Sequence, residues 1–127
     1  QFGVEKNICH IGYIPDEDMP LIYKNSEFLI MPSLFESISI PILEAFALGV
    51  PVCTSNITSI PDQVGDAALL FDPNDVGDIN DKIMLLLGDD LLREKLGKRG
   101  NKRIKDFDFS KFNSDWRSLL AGPICSE

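Results

Sequence analysis

The stretch EFLIMPSLFESISIPILEAFALGVPVCTS, Glu27 to Ser55, decides the fold. It opens with Glu27–Ser33, an apolar run closed by Pro32, which reads as a buried strand. It ends with Val50–Ser55, a second run of the same kind. Between them, Ile40 to Leu48 reads as a helix. Ser39 is placed to cap it, Pro41 is tolerated in a first turn, and Gly49 suits the left-handed position that ends a helix. Continuous apolar strands joined through a helix form the unit of a parallel sheet covered on both faces.

Working outward, NICHIG (Asn7–Gly12) reads as a buried strand and AALLFD (Ala67–Asp72) as a shorter one. PDEDMPLIYKNS carries acids first and Met19, Leu21, Ile22 and Tyr23 after, as a short helix with acids at its positive end would. The remainder is helical. DINDKIMLLLGD has an apolar face at Ile79, Ile83, Met84, Leu86 and Leu87, and the next segment repeats Leu92, Leu96 and Ile104. SKFNSDWRSLL begins with Ser110 as a cap and presents Phe112, Trp116 and Leu119 or Leu120; residues 121–127 read as a frayed tail. The expected fold is α/β: a partial doubly wound, Rossmann-like parallel sheet of three to four strands with C-terminal helices. Such sheets ordinarily have about six strands. Asn7–Gly12 calls for a parallel neighbour that this chain does not supply, and the first residue is Gln rather than Met. The expectation is therefore an incomplete domain whose open sheet edge offers a route to self-association.

Composition bounds the partners. With 127 residues, 44% of them hydrophobic, the chain suffices for one packed domain or part of one. A formal charge of −8 argues against nucleic acid, or an anionic membrane, as the main partner. Cys9 and Cys53 sit in apolar runs and read as reduced core residues; with Cys125 they show no metal-binding spacing. No run approaches the ~20 apolar residues of a membrane span, and no signal peptide opens the chain, so a cytoplasmic protein is expected. His10 reads as a core or edge residue of its strand. The basic run Arg93, Lys95, Lys98, Arg99, Lys102, Arg103 and Lys105 reads as a solvated helix face, with contact to a membrane surface or an acidic partner as the sharper alternative.

Two carboxylates carry the functional question. Ligands of parallel α/β sheets bind beyond the C-terminal strand ends. Glu36 lies just past its strand at that rim, and the following helix aims its N-terminus there, a favourable seat for phosphate. Glu44 falls about one turn into the helix, and Ser37 and Ser39 bring short hydroxyls. Carboxylates repel phosphate but accept well from sugar hydroxyls. A nucleoside diphosphate sugar has hydroxyls at both ends and phosphates between. On spacing alone, the bland reading is favoured over the site: Glu44 as a solvated helix residue and Glu36 as an ordinary loop acid.

The longer string MPSLFESISIPILEAFALGVPVCTSNITSIPDQVGDAALLFDP resembles the donor-binding half of retaining glycosyltransferases of the GT-B fold, group 1. Their pattern is P-S, E-G-F-G-L-P, L-E-A-M-A-x-G-x-P-V, then P-E-x-x-G-D-A-A and D-P. Pro32, Ser33, Glu36, Pro41, Glu44, Ala45, Gly49, Pro51 and Val52 fall in place, as do Pro61, Gly65 to Ala68, Asp72 and Pro73. The likeness runs from the HIGYIP segment to about Leu120 and includes the family's E-x7-E motif. It implies that Glu36 binds hydroxyls of the donor sugar in a positioning and transition-state role. It implies that Glu44 binds ribose, and that backbone amides at Ile38 to Ile40 approach the sugar and diphosphate. Tyr13 and Ile14 would border the nucleobase. No metal or other cofactor is implied beyond the donor itself. The departure is Ser37 and Ser39 where the family has glycine, which reshapes the sugar pocket and brings the Ser39 hydroxyl within reach of a phosphate. The family's diphosphate-binding Arg and Lys and its N-terminal acceptor domain have no matching segment here, so the chain alone is expected to be inactive. A non-catalytic binding or interaction module of the same fold is the competing reading. A receiver-like domain is disfavoured because the strands end in Gly12, Pro32 and Ser55 rather than Asp, and an epimerase fits the E-x7-E context less well.

Overall fold

Three strands line up in chain order. In the computed structural model, which describes residues 3–121, β1 (Leu29–Met31), β2 (Val52–Ser55) and β3 (Ala68–Phe71) form an all-parallel sheet ordered β1-β2-β3. Leu29 pairs with Val52 and Val52 with Ala68; at the far end, Ser55 pairs with Phe71. Parallel pairing needs a crossover, and two helices supply it. α1 (Met19–Lys24) precedes β1, α2 (Ile40–Leu48) joins β1 to β2, and α3 (Ile60–Val64) joins β2 to β3. The chain then continues through α4 (Val76–Gly88), α5 (Asp90–Arg103), a 3-10 turn (Ile104–Phe107) and α6 (Phe109–Ala121).

Strand alternation divides the core in two. On one face Val52 packs with Tyr23, Ile42, Ala45, Phe46, Ile60 and Val64, with Leu29, Ala68 and Leu70 against the same cluster. On the other, Cys53 and Phe71 pack with Leu86 of α4 and Leu96 of α5, joined by Ile30 and Leu69. The sheet is thus covered on both faces, as continuous apolar strands require. Phe46, Ile42, Ile60 and Leu86 are fully buried. Each such side chain contributes about 1.5–3 kcal/mol relative to exposure.

Several sequence expectations are corrected. Asn7–Gly12 is not a strand of the sheet. A 3-10 turn occupies Glu5–Asn7, and the following residues to Gly12 lie exposed without a ladder partner among the described residues. An apolar run becomes a strand only where a neighbour completes its hydrogen bonds. Cys9 and His10 are consequently exposed rather than in the core; Cys53 is buried as expected. On α4, Leu86 is buried and Ile79 and Ile83 half-buried, but Met84 and Leu87 face out. Ser110 is not the cap of α6. Asp108 holds that place, accepting from the Ser110 N–H at 3.2 Å while its carbonyl accepts from the Phe112 N–H. Phe112 and Trp116 are exposed and meet edge to face. Of the expected frayed tail, residues 122–127 lie outside the described residues.

The basic run also divides. Its arginines act as staples. Arg93 bonds the Leu86 and Leu87 carbonyls at the end of α4 and pairs with Glu27 and Asp90. Arg99 donates to the Asp66 carbonyl at 3.0 Å, and Arg103 bonds the Asp62 and Gln63 carbonyls of α3. Lys95, Lys98 and Lys102 remain on the solvated face.

Candidate functional site

β1 ends at Met31, and Pro32 prevents the strand from continuing. The chain then turns through Ser33–Ser39 at the C-terminal rim of the sheet and enters α2. Glu36 is half-buried in this turn, and its carboxylate accepts from the Ser33 hydroxyl at 2.8 Å. That bond fixes one carboxylate oxygen and leaves the other to accept from a ligand. Glu44 sits one turn into α2, exposed, and accepts from the Tyr23 hydroxyl of α1 at 2.9 Å. Tyr23 is otherwise buried; burial first, then the Glu44 carboxylate it donates to, pushes its phenol above the ordinary range.

Ser39 stands at the N-cap position of α2 with extended dihedrals, but its side chain makes no capping bond. The hydroxyl is buried and unpartnered, against the expectation that it would cap. Its backbone is held from outside instead. The Gln63 side-chain amide accepts from the Ser39 N–H at 2.9 Å and donates to the Ser39 carbonyl at 2.7 Å. Upstream, the Thr58 hydroxyl donates to the Glu36 carbonyl, and Ser59 donates to the Ser37 carbonyl. The Ser39 amide is therefore taken, which corrects the expectation that all amides from Ile38 to Ile40 face a ligand. Pro41 has no N–H to offer.

Ser37 and Ile38 border a groove of about 350 Å³ with Ser59, Gln63 and Phe107. Ile38 and Leu43 border a second, of about 420 Å³, with Phe107 and Phe112. Neither groove is lined by Glu36 or Glu44. Tyr13 is almost fully exposed and Ile14 half-buried, in the loop before α1. No group of three or more His, Cys, Asp or Glu that could hold a metal occurs among the described residues, and no helix there is long and apolar enough to cross a membrane.

Residues 1–103 match the family described as Glycosyl transferases group 1. The chain belongs to that family. It is 46% identical over 102 residues to the O-antigen chain mannosyltransferase B of Escherichia coli, covering 80% of this chain and 27% of that protein. The sulfoquinovosyl transferase SQD2 of Arabidopsis thaliana is 31% identical over 103 residues, covering 77% and 20%. Among solved structures, sucrose-phosphate synthase from Thermosynechococcus elongatus superposes with a TM-score of 0.82 at 25% identity, covering 93% of this chain and 31% of that one. The chain thus spans under a third of the length of each of these relatives. The parallel sheet and its helices match the C-terminal domain of a GT-B fold.

Within this group 1 domain, the turn and α2 carry Glu36, Ser37, Ile38, Ser39, Ile40 and Glu44 on one continuous segment at the sheet rim. Ser37, Ile38 and Ile40 are exposed there. Tyr13 and Ile14 lie on a separate loop. Sequence reasoning missed Thr58, Ser59 and Gln63, which hold the turn from the far side of β2. Their segment shows a local signal, Ile60-Pro61 opening a helix that ends at Gly65, but five residues are too few for periodicity to reveal α3.

Proposed function

We propose that this chain is the donor-binding part of a sugar transferase that takes a nucleoside diphosphate sugar and transfers a hexosyl group with retention. One observation carries the reading: Glu36, oriented by Ser33 at 2.8 Å, stands at the entrance of a helix that bears Glu44 one turn further in. Glu36 would accept from hydroxyls of the sugar, and Glu44 from the ribose. The Ile38 and Ile40 amides would meet the diphosphate at the positive helix end. Tyr13 and Ile14 would border the nucleobase. The similarity to a mannosyltransferase makes mannose the first sugar to test. No metal enters this scheme. The stabilisation it offers is positioning and charge complementarity.

By this reading residues 1–127 form part of a C-terminal domain whose partner is an acceptor-binding domain of the same protein, working on the cytoplasmic side. Glu36→Gln in the full-length enzyme should lower kcat by on the order of 100-fold, the scale of losing one transition-state contact. Glu44→Ala should instead raise the donor KM by on the order of tenfold. Steady-state kinetics with a nucleoside diphosphate mannose separates the two. Unchanged constants in both variants would refute the site.

A further inference from the structure

The β1–α2 turn does not hold its own shape. Among the described residues, the side-chain bonds that fix its backbone from outside come from the segment after β2. Thr58 donates to the Glu36 carbonyl and Ser59 to the Ser37 carbonyl. Gln63 takes both the N–H and the carbonyl of Ser39, at 2.9 and 2.7 Å. Ser39 and Gln63 are both buried, at 1% and 5% exposure, so water does not compete for these bonds. Gln63 is itself anchored, because Arg103 donates to its backbone carbonyl at 3.1 Å.

A second feature points the same way. Thr58 has a φ of +43°, a left-handed conformation that a β-branched residue adopts at a cost. That strain persists where the surroundings enforce it. Here the conformation accompanies a hydroxyl that reaches the Glu36 carbonyl.

From these contacts we infer that Gln63, with Thr58, is a positioning residue for the donor site. It sets where the Glu36 carboxylate and the Ile40 amide stand relative to one another, without touching the donor. This role rests on the function proposed above. It also explains how the turn keeps one conformation with Ser37 and Ser39 in it. A side-chain amide that both accepts and donates across Ser39 fixes the orientation of that residue's flanking peptide planes, and hence the entry into α2.

The test separates positioning from mere stability. Gln63→Met keeps the side chain's length and removes both bonds; Gln63→Glu keeps an acceptor for the Ser39 N–H and loses the donor to its carbonyl. Thr58→Ser keeps the hydroxyl, and Thr58→Ala removes it. In the full-length enzyme, assayed well below its melting temperature, Gln63→Met should lose on the order of 100-fold in kcat/KM for the donor, the scale expected of a small misplacement. Gln63→Glu should be impaired in the same direction, and Thr58→Ser should recover activity that Thr58→Ala loses. Asp75 caps α4 by accepting from the Gly77 and Asp78 N–H groups, so Asp75→Ala supplies the comparison: a lower melting temperature with wild-type turnover. Hydrogen exchange of the Ser39 amide in the present chain reads the clamp directly and should lose protection in Gln63→Met. Wild-type kcat/KM in Gln63→Met, or retained Ser39 protection, overturns the inference. A wild-type enzyme that transfers sugar from no nucleotide donor overturns the proposed function instead, and this role with it.

Discussion

At the residue scale, the sharpest contrast is between the two described cysteines. Both sit in apolar runs, and the sequence makes them look alike. Cys53 lies in the middle of β2 between two packed layers, whereas Cys9 is exposed beside an unpaired segment. Burial pushes the Cys53 thiol from 9.0 up to about 12, because the thiolate would lie in a medium that solvates it poorly. The folded state thus binds this proton more tightly than the unfolded state does. Its contribution to stability is fully present below pH 9 and is lost as pH rises toward 12. In a Cys125→Ser variant at pH 8, a disulfide reagent should titrate Cys9 rapidly and Cys53 only after denaturant is added. Rapid reaction of both thiols in the native protein would show that β2 is not packed as described. Glu36 and Glu44 were legible at this scale because helix position and strand-end position are both local. Ser39 was legible as a location but not as a role. Whether a hydroxyl caps depends on surroundings that local sequence does not name, and here the Ser39 backbone is held by Gln63, far along the chain.

At the element scale, helix limits were readable where residues of special backbone character mark them. Pro41 opens α2, and Gly49 closes it in the left-handed region at φ +72°. Asn101 then serves the same helix end. With its amide nitrogen turned toward α2, it donates to the Phe46 carbonyl at 2.9 Å. What the sequence did not reveal was why α5 carries Gly97 and Gly100. A glycine inside a helix is unfavourable by about 1 kcal/mol relative to alanine, so alanine ought to be an improvement. The contact geometry reverses that. A Cβ on Gly97 would stand 2.4 Å from the Gly49 carbonyl oxygen, and one on Gly100 would stand 2.6 Å from the Phe46 ring. The first obstacle is backbone at a helix end that Asn101 already holds, so it has little room to move. Gly97→Ala should therefore lose about 2 kcal/mol net, or roughly 7 °C in melting temperature for a domain of this size. Gly88→Ala, with nothing within 4 Å of its added methyl, should show no such loss. A Gly97→Ala variant as stable as the parent in thermal unfolding would mean that α2 and α5 do not pack this closely.

At the scale of the whole molecule, the parallel sheet was legible because apolar strands separated by helices leave few alternatives. The strand assigned to Asn7–Gly12 was not, because a ladder depends on a neighbour that local sequence does not name. Its side chains remain outside the core: Ile8 and Ile11 are 69% and 57% exposed, and Tyr13 just beyond is 89% exposed. Beside β1, Met19, Ile22, Phe28 and Leu29 line an apolar groove of about 160 Å³. β1 itself is an edge strand in the order β1-β2-β3. An edge strand flanked by apolar side chains favours pairing with another copy. The net charge of −8 opposes that association at low salt and is screened as salt is added. The isolated chain should therefore associate reversibly in sedimentation velocity, more strongly at high ionic strength. Ile8→Glu with Ile11→Glu should weaken the association while leaving the melting temperature of the dilute protein unchanged, since neither side chain is packed in the folded chain. The same preparation should transfer no sugar, because by the function proposed above it holds the donor carboxylates without the acceptor side of the cleft. A monomer at every salt concentration would remove the exposed edge from consideration. Turnover by this chain alone would show that the carboxylates and the clamped turn suffice for catalysis without the rest of the cleft.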